Sequence, residues 1–352
     1  MPGPIFALGV AAIWVAKTGF AWFGTGLVES SAAEWPGADS YASSGVLPTL
    51  LYRYITPDTI SFTAVSLGFM LLLFAGPALV YSRTYKGTGL WRLILLLMAC
   101  SPAVAANSYF IGHYQPFMPA MLTLAVVSRT RLAFLLFAGL AVLANPEQAT
   151  VAFTCLMILS FTSCFRRWLR RAALGTGIGL VAIAIGQIWL ATSDSQSRAE
   201  FLLLHFEYGL IQSVKFGAQG VYSWWGPWWL IILLFLFLLP GPAPKVLMLT
   251  SSVLLPGLFT VTSADGTRVF VGIAIAVGVA LAVTYAQGVA SDIECETANS
   301  SRQSGKRHTL GIHLAFWTLA LLVLPSPVTF AGLTGWFQPW GLGVDLILNP
   351  PP

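Results

Sequence analysis

Long apolar runs recur along this chain and restrict what it can fold into. Most of them approach the roughly twenty residues that an α-helix needs to cross the hydrocarbon core of a bilayer. The composition agrees, since hydrophobic residues make up 57% of the 352 residues and charged residues only 9%. No water-soluble core of this size needs so much apolar surface. The sequence therefore predicts an integral membrane protein.

Only helices and closed barrels satisfy every backbone polar group inside a bilayer, and the length of the runs indicates helices. We predict an all-α fold, a single polytopic transmembrane domain over residues 1–352 with about 11 membrane helices (range about 9 to 12). The third to the sixth candidates are short, so one or two of them are expected to be re-entrant or to end below the membrane surface. The candidate spans lie at residues 4–27, 59–81, 90–106, 109–127, 131–145, 148–165, 172–192, 224–240, 245–262, 268–287 and 309–325.

The distribution of Lys and Arg predicts the orientation of the bundle. Cytoplasmic loops retain positive charge, and most of the 18 Lys and Arg residues fall on one side if the N-terminus is cytoplasmic. We therefore expect a plasma (inner) membrane protein with the loops at 29–58 and 193–223 outside. The densest basic segment, RRWLRR at residues 166–171, is interpreted as a topology anchor in contact with anionic lipid headgroups. The net charge of +5 thus indicates membrane lipids as partners, and not nucleic acid.

Two further polar stretches interrupt the apolar runs. Residues 193–223 alternate apolar and polar residues with a helical period, which predicts an amphipathic helix in the outer interface. His205 lies on it and is a candidate contact for a headgroup or an acceptor. Residues 288–308 are rich in Ser, Gln, Asn and charge, which predicts a flexible cytoplasmic linker.

The first polar loop, residues 29–58, holds four of the 13 acidic residues. Asp39 is the best placed, because it follows a Trp-Pro-Gly turn, and a carboxylate acts as a metal ligand or a base where it stays ionised. The alternative is that Asp39 caps the helical segment 46–54. Glu34 is a weaker catalytic candidate, with a solvated loop charge as its alternative. Asp58 is interpreted as the cap of the next helix.

Four more charged or polar residues are candidates for chemistry. Arg268 opens a predicted helix from the outside, where its planar fork suits a phosphate, or it forms a local ion pair with Asp265. Glu147 lies in an outer turn and either caps its helix or faces a cavity. His113 shuttles a proton or donates a hydrogen bond to a sugar, or else it is a satisfied polar residue inside the bundle. Lys17, near the middle of the first predicted helix, indicates function unless it snorkels or has a hidden carboxylate partner.

The layout of the chain resembles the GT-C superfamily of polytopic glycosyltransferases. The local basis of the resemblance is the loop GADSYASSGVLPTLLYRY at residues 37–54, after a first spanning helix and before many short helices with basic turns. Members of that superfamily take a sugar from a polyprenyl-phosphate carrier on the outer face. They use an acid early in the first loop to bind a metal or activate the acceptor. The resemblance implies that Asp39 has this role, with Mg²⁺ or Mn²⁺ as the metal.

The resemblance also implies roles for the other candidates. Arg268 would hold the phosphate of the polyprenyl carrier, and Asp265 would orient Arg268 or cap its helix. Glu147 or His113 would assist in catalysis. The remaining candidates are a further acid and three substrate contacts, namely Glu34, Tyr41, Arg53 and His205. The chain departs from the family in having no adjacent acidic pair in the second outer turn and no C-terminal soluble domain.

Two other functions compete with the transferase. In a transporter or flippase, Lys17, His113 and Glu147 would form a polar path across the bilayer. In a non-catalytic membrane scaffold, the carboxylates would merely be solvated. The sequence has no Walker loop, no HExxH and no GxSxG, so chemistry on soluble nucleotides and standard hydrolase chemistry have no motif to support them.

Overall fold

The computed structural model describes residues 3–18, 25–34, 45–84, 89–190, 206–261, 266–299, 304–324 and 326. These ranges contain sixteen α-helices and no β-strand, which confirms the predicted all-α class. The helices are α1 (Gly3–Thr18), α2 (Gly26–Glu34), α3 (Val46–Tyr54), α4 (Thr59–Thr84), α5 (Leu90–Ala99), α6 (Pro102–Ser108), α7 (Phe117–Val127), α8 (Arg131–Ala144), α9 (Pro146–Leu159), α10 (Leu169–Leu190), α11 (Phe206–Trp225), α12 (Trp229–Leu238), α13 (Pro242–Leu249), α14 (Leu255–Val261), α15 (Gly266–Asn299) and α16 (Ser304–Val323).

Among the described residues, five helical segments are long and apolar enough to cross a membrane. The count becomes six if α5 and α6, which are bent by 55° at their junction, form one broken span. The expectation of a membrane protein therefore holds, whereas the count of about 11 spans is not confirmed. The five segments are Thr59–Arg83, Ser163–Trp189, Gly220–Leu238, Pro242–Val261 and Thr267–Ser291.

The count differs because several of the predicted spans are short helices. α7 has 11 residues and α8 and α9 have 14 each. At 1.5 Å per residue they measure about 16 to 21 Å, against about 30 Å for the hydrocarbon core. A continuous apolar run in the sequence therefore does not correspond to a continuous spanning helix here.

The break between α5 and α6 has a local cause. Pro102 cannot donate the backbone hydrogen bond that would continue α5, and it occupies the first turn of α6. The Ser101 hydroxyl oxygen accepts a hydrogen bond from the backbone N–H of Ala103 at 3.2 Å and caps the new helix. From residue 93 to residue 128 every side chain is buried, so these short helices form the interior of the bundle.

The long helix α15 is the centre of the packing. Nearly all of its side chains from Thr267 to Val283 are buried, as expected for a helix that is apolar on every face. It packs against α5, α6, α7, α9, α11, α14 and α16. Any polar group near the start of α15 is therefore shared among several helices.

The peripheral helix α10 packs on α9 through glycines. A Cβ at Gly179 would lie 2.0 Å from the Thr150 hydroxyl oxygen, and one at Gly175 would lie 2.6 Å from the ring of Phe153. These two glycines are four residues apart on one face, the spacing by which small residues bring membrane helices close together. Between them, Gly177 has no atom within 4 Å of its Cβ position.

Side-chain contacts define two opposite ends of the bundle. The first end contains the start of α15 and is called the Arg268 end. There the hydroxyl of Tyr109 donates to the carbonyl oxygen of Thr18 of α1 at 2.7 Å. At the second, called the Arg167 end, Arg167 lies where α10 begins and donates to Thr284 of α15 at 3.1 Å. The described basic turns at residues 128–131 and 166–171 lie together at the second end.

Lys17 lies in the last described turn of α1 (Gly3–Thr18). Its ammonium group donates to the backbone carbonyl oxygens of Leu321 and Leu324 at the C-terminus of α16. The last carbonyls of a helix have no partner within that helix, and they carry a partial negative charge. Among the described residues, the partner of Lys17 is therefore a helix end and not a carboxylate.

Three polar stretches contain helix. The predicted first loop includes α2 and α3. Where the sequence predicts a flexible linker at 288–308, residues 288–299 continue α15 and residues 304–308 begin α16. The predicted interfacial segment contributes α11, which is kinked at Gly217 (φ 46°, ψ −128°) and exposes Phe206, Tyr208, Leu210 and Ile211.

Candidate functional site

The predicted site residues divide into those that the structure describes and those that it does not. Asp39, Tyr41, His205 and Asp265 lie outside the described residues, as does the side chain of Glu34 at the end of α2. Their proposed roles remain predictions. His113, Glu147, Arg268 and Arg53 are described, and the first three lie at the Arg268 end of the bundle.

His113 is held in the tight turn between α6 and α7. The turn passes through Gly112 at φ 88°, a conformation that favours glycine. The Ser66 hydroxyl of α4 fixes this turn by donating to the carbonyl oxygen of His113 at 2.8 Å and accepting from the N–H of Gly112 at 3.2 Å. The His113 ring is 1% exposed, so both its position and its surroundings are set by the fold.

The hydrogen bond at one ring nitrogen determines the form of His113. Nδ1 accepts from the backbone N–H of Gln115 at 3.1 Å, so the proton of the neutral ring is on Nε2. Burial lowers the pKa of His113 well below its usual value, and the nearby charge of Arg268 lowers it further. At neutral pH His113 is therefore uncharged and has an N–H donor on Nε2.

Arg268 extends from the first turn of α15 toward the same turn. Its guanidinium lies 5.4 Å from the centre of the Phe110 ring, which attracts the cation through its π face. Next to it, Thr267 shares a buried hydrogen bond of 2.7 Å with Ser223 of α11. The start of α15 is thus fixed on one side by α11 and on the other by the turn that carries His113.

Glu147 and Gln148 begin α9, which packs along α15. The Asn145 side chain accepts from the backbone N–H of Gln148 at 3.1 Å, with Pro146 in the first turn, so the local sequence works as a helix cap. The side-chain oxygen of Gln148 lies 2.8 Å from the position of a Cβ on Gly272, one turn after Arg268. Gln148 therefore belongs to the same region as Arg268.

Two buried amide oxygens accept no hydrogen bond from the described residues, namely Oδ1 of Asn107 and Oε1 of Gln148. Asn107 donates from Nδ2 to the carbonyl oxygen of Ala103 at 2.7 Å, which fixes its orientation. A buried polar atom without a partner costs about 1 to 3 kcal/mol, which a bound donor would recover. Sequence reasoning did not select either amide for the site, although Gln148 directly follows the predicted Glu147.

We call Asn107, Phe110, His113, Gln148 and Arg268 the Arg268 cluster. It combines a guanidinium, a neutral imidazole N–H and two amide oxygens at one end of the bundle. Such a set can bind an anion through Arg268 and hydroxyl groups through the amides.

Arg53 lies apart from these groups in its immediate contacts. It is exposed on α3, its guanidinium lies 5.6 Å from the ring centre of Tyr54, and its contact with the carbonyl oxygen of Ala32 is long at 3.4 Å. The described contacts associate Arg53 with the packing of α2 on α3. They do not connect it with His113 or Arg268.

The acids of the first loop that can be described have structural partners. The Glu29 carboxylate accepts from the hydroxyls of Thr25 and Thr59, the latter at 3.0 Å, and these bonds lower its pKa. Glu29 thus ties α2 to the start of α4, and is more than a solvated loop charge. Asp58 accepts from the backbone N–H of Ser61 at 2.8 Å, which confirms that it caps α4.

The part of the chain that the structure describes contains no group of three or more His, Cys, Asp or Glu side chains placed to hold a metal ion. The predicted Mg²⁺ or Mn²⁺ site depends on Asp39, which is outside that part. The metal therefore stays a prediction from the family resemblance.

Comparison with known proteins gives no relative from which to transfer a function. No protein-family model, no curated protein and no solved structure matches this chain. The function is therefore argued from the geometry of the Arg268 cluster and from the predicted orientation of the bundle.

Proposed function

We propose that this protein is a membrane glycosyltransferase of the GT-C type. It moves a sugar from a polyprenyl-phosphate-linked donor to an acceptor on the non-cytoplasmic face. The observation that carries the proposal is that Arg268 and the neutral His113, from distant parts of the sequence, lie against the same Phe110 ring, with the guanidinium 5.4 Å and the imidazole 5.6 Å from its centre. One is a phosphate-binding cation and the other is a donor that does not compete for the anion's charge.

The predicted orientation supports the same assignment. The Arg167 end carries the described basic turns at residues 128–131 and 166–171, and the positive-inside rule assigns such turns to the cytoplasm. The Arg268 cluster is then on the non-cytoplasmic side. A polyprenyl-phosphate donor presents its phosphate at the membrane surface, within reach of a group at the end of the bundle and not at its centre.

The charges of the cluster suit a leaving phosphate. The guanidinium of Arg268 offers a planar fork of donors to phosphate oxygens. His113 adds a hydrogen bond from Nε2 without adding a second cation. The oxygens of Asn107 and Gln148 can accept from sugar hydroxyls. Phosphate and sugar are thereby recognised by different members of one cluster.

The reaction that this arrangement serves is a displacement at the anomeric carbon. The acceptor hydroxyl oxygen forms a bond to that carbon, and the bond from the carbon to the phosphate oxygen breaks. The electron pair of the broken bond stays on the phosphate, where Arg268 stabilises the added charge. The proton of the acceptor goes to a carboxylate, for which Glu147 and the predicted Asp39 are the candidates.

The competing transporter would need a polar path through Lys17. The Lys17 ammonium group is bound to the carbonyl oxygens that end α16, which gives this cation a structural role. This observation supports the transferase over the transporter.

Lipid retention tests the proposal. The full chain is purified in mild detergent, and the bound lipids are extracted and analysed by mass spectrometry. Wild type and Arg170→Gln, an exposed arginine at the opposite end, should retain a polyprenyl phosphate. Arg268→Gln should retain about tenfold less, since a charge-assisted hydrogen bond contributes about 1.5 to 3 kcal/mol.

Arg268→Lys separates charge from geometry, because it keeps the cation and loses the fork. We expect intermediate retention from it. Absence of any polyprenyl phosphate from a folded wild-type protein, or equal retention by wild type and Arg268→Gln, would contradict the proposal.

A further inference from the structure

A cavity of about 300 Å³ lies at the Arg167 end, opposite the Arg268 cluster. It opens to the surface and is bordered by the end of α4, the end of α7, the start of α10 and the last buried part of α15, with Arg129 and Arg167 exposed at its opening. This volume is at the small end of the range of ligand pockets, roughly 300 to 1,000 Å³. We call it the Arg167 cavity, and its lining consists of Val80, Tyr81, Val126, Val127, Ser128, Arg129, Arg167, Trp168, Arg171, Val283 and Gln287.

The charge of this lining is strongly biased. It includes three arginines, and none of the described lining residues is acidic. Hydroxyl and amide groups of Tyr81, Ser128 and Gln287 complete the polar part of the wall. A positive cavity with neutral polar groups is suited to an anion that is rich in hydrogen-bond acceptors.

Neutral acceptors hold two of the three guanidinium groups in place. Arg167 donates to the side-chain oxygen of Gln287 and, at 3.1 Å, to the hydroxyl of Thr284, and it lies 3.9 Å from the ring centre of Trp168. Arg171 donates to the carbonyl oxygens of Ser128 and Arg129 at 2.5 and 2.7 Å. These bonds fix the orientation of the two guanidinium groups. Such fixed donors bind an anion with little loss of side-chain entropy.

We propose that the Arg167 cavity binds a phosphate group, with Arg129, Arg167 and Arg171 as its cationic contacts. Arginine is preferred over lysine at such sites because its fork matches phosphate oxygens. The phosphate belongs either to the headgroup of an anionic phospholipid or to a free phosphate ion. The site is independent of the proposed transferase, since it lies at the other end of the bundle and uses none of its residues.

The RRWLRR segment supplies a matched control. Arg166, Arg167 and Arg170 are all exposed, but only Arg167 lines the cavity. The double variants Arg129→Gln/Arg167→Gln and Arg166→Gln/Arg170→Gln therefore remove the same charge inside and outside the cavity. Arg171 is left unchanged, because its bonds to the end of α7 support the fold.

The experiment measures binding of two probes to the full-length protein in nanodiscs. One probe is inorganic phosphate, followed by isothermal titration in phosphatidylcholine discs. The other is phosphatidic acid, followed by native mass spectrometry after reconstitution with and without that lipid. The cavity variant should bind the effective probe at least tenfold more weakly, and the outside variant should differ from wild type by less than about twofold.

Binding of phosphate in solution identifies a soluble ligand, and binding of phosphatidic acid alone identifies a lipid headgroup. Either result supports the site if the cavity variant loses it. An equal loss in both double variants would show unspecific attraction to surface charge and would overturn the proposal. So would the absence of binding of both probes to wild type. Val283→Phe, which fills the cavity without changing charge, should also abolish binding, and thermal unfolding checks that each variant is folded.

Discussion

Arg268 lies close enough to His113 for its charge to add to the effect of burial in lowering the pKa of the imidazole. The two residues belong to α15 and to the turn between α6 and α7, and Phe110 packs against the same guanidinium at 5.4 Å. An imidazole in this position is a neutral hydrogen-bond donor at physiological pH. The relationship leads to a prediction about pH that does not require knowledge of the substrate.

The stability of the protein should depend on pH through His113. Burial and the charge of Arg268 lower its pKa in the folded state well below the ordinary value of about 6.5. Below about pH 6.5 the unfolded chain therefore binds a proton that the folded chain does not, and the free energy of unfolding falls as the pH falls. The slope reaches at most about 1.4 kcal/mol per pH unit, and the contribution is complete above pH 6.5.

Chemical denaturation in detergent between about pH 5 and pH 8 measures this slope. His113→Gln should show a shallower slope than wild type, because the other histidines contribute equally to both proteins. Arg268→Gln should raise the pKa of His113 and so reduce the loss on acidification. Parallel pH profiles for wild type and His113→Gln would show that His113 does not titrate as described.

Gln148 should be more important for activity than for stability. Its buried side-chain oxygen accepts no hydrogen bond from the described residues. Gln148→Leu therefore replaces an unsatisfied amide with an apolar side chain of similar shape. We expect the free energy of unfolding of this variant to equal that of wild type or to exceed it by about 1 kcal/mol. If this oxygen accepts a hydrogen bond from a substrate hydroxyl in wild type, the rate of sugar transfer to an acceptor should fall about tenfold in Gln148→Leu.

Thr123→Val is the matched control, because its buried hydroxyl also has no partner among the described residues and lies farther along α7. It should leave transfer unchanged. A large loss of stability in Gln148→Leu, or the same loss of transfer in both variants, would assign Gln148 a purely structural role.

Lys17 should stabilise the fold through the end of α16. Lys17→Met keeps the apolar stem but removes the bonds to the carbonyl oxygens of Leu321 and Leu324. Because a cation at a helix C-terminus and its hydrogen bonds each contribute on the order of 1 kcal/mol, we expect a loss of about 1 to 2 kcal/mol in the free energy of unfolding. Lys17→Arg retains donors and charge and should recover part of it. A Lys17→Met protein more stable than wild type would contradict this capping role.

The contact of α10 with α9 should depend on Gly179 and not on Gly177. A Cβ at Gly179 would lie 2.0 Å from the Thr150 hydroxyl oxygen and 3.2 Å from its Cα, whereas one at Gly177 meets nothing within 4 Å. Gly179→Ala should therefore cost about 1 to 3 kcal/mol, as overpacked sites do. Gly177→Ala should have the stability of wild type or slightly more. Thermal unfolding of the two variants in the same detergent compares them, and equal midpoints would contradict the close contact.

Local features of this fold could be predicted from the sequence. Asp58 and Asn145 cap helices because an Asp or Asn before a helical run accepts from backbone N–H groups only two or three residues away. The all-α class follows from the apolar runs, since a bilayer admits little else at that length. Both predictions depend only on residues that are close together in the sequence.

The number of spans and the partners of the charged residues could not be predicted in the same way. Hydropathy measures the length of an apolar run, but not whether a break such as Ser101-Pro102 turns the chain inside the bundle. Lys17 donates to two backbone carbonyls near residue 320, about 300 residues away in the chain. Every residue has a backbone carbonyl, so the residue type does not show which one a lysine will bind.

The sequence by itself determined that this protein is helical and membrane-like and that its basic residues lie in alternate turns. It also identified Arg268 and His113 as candidate site residues. Only the tertiary structure decided that Arg268 and His113 both lie against Phe110, that Gln148 lies beside the start of α15, and that three arginines line one cavity at the other end. The physical reason is that short buried helices can pack in many arrangements with the same hydropathy. Which polar groups they bring together depends on contacts between residues far apart in the chain.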